Sequence, residues 1–223
     1  MYSNNFYRFF CALIFSVSAI SSAQEVEIMV RAQAGDAKFI GSSIGGAKIL
    51  IKDALTNEIL AEGITKGSTG NTEKIMKQAQ IRGKRITDDQ TAGFNAKVQI
   101  AEPRFVTIEA YAPRNKKQAR VKSSTQLWLL PGKDITGEGI ILKIPGFVVD
   151  IVTPQTHQSY SSSEIEIQAN IVMMCGCPIT KGGLWDANQY EVNAILKSEN
   201  MDTKTVKMEQ EGGSSNFVGK ANL

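Results

Sequence analysis

Along most of the chain, apolar residues recur at every second position. In residues 25–32, Val26, Ile28, Val30 and Ala32 alternate with Glu25, Glu27 and Arg31. One apolar side at a period of two predicts a half-buried strand. The same pattern predicts strands at 47–52, 59–65, 94–100, 106–110, 125–130 and 139–144. Turn signals separate them: the Gly/Ser region 41–46, the turn 53–58, the loop 67–72, Pro103, and Pro131-Gly132-Lys133-Asp134. Residues 73–90 fit neither period and predict a long loop with at most one or two helical turns.

A second run of strands follows. Residues 147–152 are apolar and stop at Thr153-Pro154, and a polar, Ser-rich stretch at 155–163 marks a boundary region. In 164–173, Ile165, Ile167, Ala169, Ile171 and Met173 share one side. Tyr190, Val192, Ala194 and Leu196 predict a strand, 206–209 a short one, and Phe217, Gly219, Ala221 and Leu223 a last one. Many short strands with little helical periodicity predict an all-β fold of two antiparallel β-sandwich domains. The expected units are 24–146 and 147–223. The second is thin for a sandwich, so it is expected to pack on the first or to take in 147–152 as an extra strand.

Residues 46–70 hold a strand ending in Asp53, a turn through Thr56-Asn57-Glu58 and a return strand. This run resembles the strand–turn–strand unit of transthyretin-like (prealbumin-like) modules of the carboxypeptidase-regulatory type. From Val152-Thr153-Pro154 onward the chain is similar to bacterial immunoglobulin-like modules, and Phe217-Val218-Gly219-Lys220-Ala221-Asn222-Leu223 is similar to their closing strand. It departs from antibody-type domains, because no second cysteine follows Cys175 or Cys177 at the spacing of an inter-sheet disulfide. The resemblance implies architecture only, since such modules serve as spacers, binding platforms and accessory domains.

The first 23 residues change the picture of address. Arg8, an apolar run from Phe9 to Ile20 and the small residues Ser21-Ser22-Ala23 predict a secretory signal peptide cleaved near Ala23, which would remove Cys11. The run is shorter than the ~20 residues of a spanning helix. The expected location is periplasmic or extracellular. Without the leader the 25 basic residues lose one, against 22 acidic. That near-balance gives no reason for an obligatory polyanion partner, so nucleic acid is not expected.

Candidate chemistry centres on Met173-Met174-Cys175-Gly176-Cys177. Thiolate and thioether sulfurs suit Cu(I), with Met173, Met174, Cys175 and Cys177 as donors and His157 as a helper. Three other readings stand beside it: buried structural sulfurs or a local disulfide, a redox pair, and an intermolecular bridge. In an extended strand the two cysteine Cα atoms would be roughly 6.5–7 Å apart, at the limit for a disulfide, so a bond needs a tight turn at Gly176. Redox work is disfavoured because the spacing is Cys-x-Cys and the flanks are strands.

Other motifs reduce to structure. Gly41-Ser42-Ser43-Ile44-Gly45 has the spacing of a nucleophile elbow, but a strand follows where a helix is needed. A single histidine leaves no His-Glu-x-x-His site. Arg114, Lys116, Lys117, Arg120 and Lys122 read as a solvated edge. Trp185, beside Gly182-Gly183 and Asp186, is the candidate partner-binding aromatic. The expectation is a non-enzymatic binding or accessory protein, acting through sheet surfaces and the loop from Cys175 to Trp185. Soft-metal handling and a structural or adhesive role are the alternatives.

Overall fold

The computed structural model describes residues 22–198 and 201–222, with the backbone alone described for Met201. Residues 1–21 of the expected leader, Cys11 included, lie outside the described residues. The chain is all-β and antiparallel in nearly every pairing.

The first seven strands are β1 (Gln24–Ala34), β2 (Lys48–Asp53), β3 (Ile59–Ile64), β4 (Phe94–Ile100), β5 (Arg104–Ala112), β6 (Val121–Leu129) and β7 (Ile135–Ile144). They form a three-stranded sheet, β4-β1-β7, and a four-stranded sheet, β3-β2-β5-β6. β1 runs antiparallel to β4 and parallel to β7. The alternation explains the core. Val26, Ile28 and Val30 of β1, Ile49 and Ile51 of β2, and Val106 and Ile108 of β5 are fully buried. Each such side chain contributes about 1.5–3 kcal/mol relative to exposure.

β1 departs from simple alternation over its last five residues, all buried, from Val30 through Ala34. The long loop 65–93 covers their other face. Arg31 donates to the carbonyls of Thr91 and of Ala92 (3.0 Å), and its Nε reaches the carbonyl of Glu138 at 3.2 Å. A buried guanidinium surrounded by carbonyls ties that loop to the sheet. The loop holds one helical turn of π type, Glu73–Lys77. β7 begins earlier than its apolar pattern because a bulge interrupts it. Its register on β1 shifts between Ile28 and Val30. Gly139 sits there at φ +72°, where a Cβ would lie 2.2 Å from the Met29 carbonyl oxygen.

Pro145 and Gly146 join β7 to β8 (Phe147–Thr153). β9 (Glu164–Met173) follows, then a two-residue parallel ribbon, β10 (Ile179–Thr180) with β11 (Trp185–Asp186). The last strands are β12 (Val192–Ser198), β13 (Met201–Glu211) and β14 (Asn216–Asn222). Five of these form one antiparallel sheet in the order β12-β13-β14-β9-β8, so residues 147–152 do supply the expected extra strand. β13 is shared between two ladders. Its residues 201 and 204–208 pair with β12, and 209–211 pair with β14. The sheet curls about this changeover until residues of its first and last strands line one groove.

The two halves share one continuous hydrophobic core. Among the described residues no helix is long and apolar enough to cross a membrane.

Candidate functional site

The sulfur-bearing bend closes β9. Glycine at position 176 takes φ +77°, donates its N–H to the Met173 carbonyl at 2.7 Å, and lets Met173 N–H reach the Cys177 carbonyl at 3.0 Å. This is the tight turn that a bond between the two cysteines requires. It brings their Cα atoms to 5.4 Å, and Cys175 and Cys177 are joined as a disulfide. Both are buried, as are Met173 and Met174. Tyr190 Oη lies 3.9 Å from the Met173 sulfur, and burial raises the Tyr190 pKa.

The bend is also a joint. A side-chain carbon added at Gly176 would touch Ile44 of the first half at 3.5 Å. Trp185, expected as a partner contact, is 7% exposed and donates its indole N–H to the Asp36 carbonyl at 2.9 Å. The burial of Trp185 has a physical cause. The β10–β11 ribbon folds the loop back on the first half, so the indole is covered there. Asp186 anchors the same loop, accepting from the backbone of Asn188 at 3.0 Å and Gly182 at 3.1 Å. These two bonds hold its carboxyl below the ordinary value. What the loop leaves exposed is its tip, including Leu184. The exposed indole is Trp128, 60% accessible and 5.1 Å from Phe105 on the outer face of the four-stranded sheet.

The candidate copper ligands are only partly brought together. Met173, Cys175 and Cys177 meet at the bend, but in the disulfide neither sulfur is a thiolate. His157 is exposed in the loop after β8. Thr153 of β8 pairs with Gln168 while Phe147 pairs with Met173, so His157 follows the far end of the hairpin. Five residues of strand set that end about 17 Å from the sulfurs. Among the described residues, no three His, Cys, Asp or Glu side chains form a group that could hold a metal ion.

An apolar concave feature lies elsewhere, in the curl of the five-stranded sheet. It is a groove of about 570 Å³. Ile165, Ile167, Ala169 and Ile171 of β9 form its floor, with Phe217 and Met208. Phe147, Val149 and Ile151 of β8 form one wall, and Val192, Ala194 and Leu196 of β12 the other. Apart from Tyr190, the polar side chains on it are Glu191 and Asn193. Several wall residues face solvent: Phe147 is 41%, Val149 42% and Ile151 65% exposed. The pattern of β8 signalled this, being apolar at five of its seven positions where a strand with one wet face alternates.

No protein-family model, no curated protein and no solved structure matches the chain.

Proposed function

We propose that the protein is an exported, non-enzymatic binding protein, whose transthyretin-like half carries an immunoglobulin-like half that takes an uncharged, apolar ligand in its groove. The groove itself carries this reading. About 570 Å³ falls within the range of small-molecule sites. The lining is aliphatic and aromatic but for Glu191 and Asn193, which suits a ligand with one or two polar groups at that end. A cluster of half-exposed Phe, Val and Ile side chains is costly in water unless something covers it. The Cys175–Cys177 bond supports the exported location, since such bonds persist in oxidising compartments.

Nile red, an uncharged apolar dye, tests the proposal. The wild-type protein is expected to bind it one to one with blue-shifted emission. Val149→Asp and Leu196→Asp each place a charge on the groove wall and are expected to weaken binding tenfold or more, with circular dichroism unchanged. No emission change with wild type, or equal binding by both variants, rejects the groove as the site.

A further inference from the structure

The five-stranded sheet has two edges, and the first half of the molecule treats them differently. At β8, Lys116 Nζ reaches Asp150 at 2.6 Å and Gln118 also donates to Asp150, so the segment 116–119 lies against that edge. Among the described residues β12 pairs with β13 alone. Residues of both parities on β12 line the groove, so the groove runs round this edge rather than along one face. The strand also carries Ile195, 61% exposed. An open edge with an outward isoleucine is a template for another strand.

The sequence of β12 says which partner. From Glu191, just before the strand, to Lys197, where the register on β13 shifts, the chain reads Glu-Val-Asn-Ala-Ile-Leu-Lys. A second copy laid antiparallel, with the two-fold axis normal to the sheet at Ala194, sets Ala194 against its own copy. Val192 then faces Leu196, both groove-wall residues, and Asn193 faces Ile195. Glu191 faces Lys197, twice by symmetry. Shifting the register by two residues one way puts Glu191 against Ile195, and the other way against Glu199. Only the centred register pairs opposite charges, and opposite charges directly across a ladder are favourable while like charges are not.

We propose that β12 is a self-complementary edge, and that the protein forms a two-fold dimer in which the two five-stranded sheets become one ten-stranded sheet through β12–β12 pairing. Since the other edge of the sheet is engaged by residues 116–119, pairing closes at two copies instead of growing into a fibre. The proposal does not depend on the ligand reading, and a failure of dye binding leaves it standing.

Sedimentation of the purified full chain from micromolar to millimolar concentration is expected to show a reversible monomer–dimer equilibrium. Glu191→Lys and Lys197→Glu each turn both symmetric pairs into repulsions and are expected to raise the dimer dissociation constant about tenfold. The double variant restores it. For register, Ala194→Cys is expected to cross-link the dimer on mild oxidation. In Val192→Cys the two introduced thiols would stand about 14 Å apart, and no cross-link is expected. A chain that stays monomeric throughout overturns the proposal and leaves the edge to a foreign strand. A dimer indifferent to both single charge reversals, or equal cross-linking of the two cysteine variants, overturns it as well.

Discussion

At the scale of single residues, Glu109 on the outer face of the four-stranded sheet is a carboxylate held by three donors. It accepts from Lys52 at 2.8 Å, from Lys122 and from Tyr111 at 3.0 Å. Burial would raise its pKa, but the hydrogen bonds from Lys122, Lys52 and Tyr111 outweigh burial and hold it at about 2, against an ordinary 4.5. Between those values the unfolded chain takes up a proton that the native chain does not, so stability falls as pH drops through that window. Urea midpoints measured from pH 5 to pH 2 are expected to fall less steeply in Glu109→Gln than in wild type. Parallel slopes would remove Glu109 from the acid response. Trp185→Phe keeps most of the ring and loses the bond to the Asp36 carbonyl. It is expected to cost about 1–2 kcal/mol in chemical denaturation. An unchanged midpoint would mean that the indole bond does not hold the halves together. Neither residue's role could be read in the sequence, because each depends on a partner from a distant segment. Alternation put Glu109 on a wet face, but not between two lysines.

At the scale of elements, alternation was a good guide wherever one face of a strand is dry. The set named from the sequence on β9 is buried throughout, and so is that on β1, where Arg31, Gln33 and Ala34 are buried as well. Alternation failed where backbone pairing, not burial, makes the strand. The early part of β13, Asp202 through Thr205, is polar, and the pairing of this strand with β12 made it a strand. The ribbon of β10 and β11 is too short to show any period. The sulfur bend lies between these cases. The Gly176 turn was legible as a condition for a disulfide, and the fold meets that condition. Thiol labelling of the unfolded protein without reductant, read by mass spectrometry, is expected to leave Cys175 and Cys177 unmodified. Because the bond spans a sequence separation of two, it constrains the unfolded chain little. Replacing both cysteines by alanine is expected to cost about 1–2 kcal/mol. Labelling of either thiol before reduction would contradict the bond.

At the scale of the molecule, the two halves are joined by more than their two-residue link. Ile44 meets the bend, Trp185 bonds to Asp36, and Lys116 pairs with Asp150. With one continuous core, the halves are expected to unfold together. Circular dichroism and tryptophan fluorescence should trace a single coincident transition in urea. Two resolved transitions would show the halves to be independent. The sequence alone determined the all-β class, most strand positions and the inward face of each, because those follow from a two-residue period and from turn residues acting over a few positions. The tertiary structure alone decided that Trp185 is buried and Trp128 exposed, that His157 stands far from the sulfurs, and that β8 and β12 face each other across an apolar groove. Those outcomes depend on which strands become neighbours and how far a sheet curls, and both are set by contacts between residues far apart in the chain.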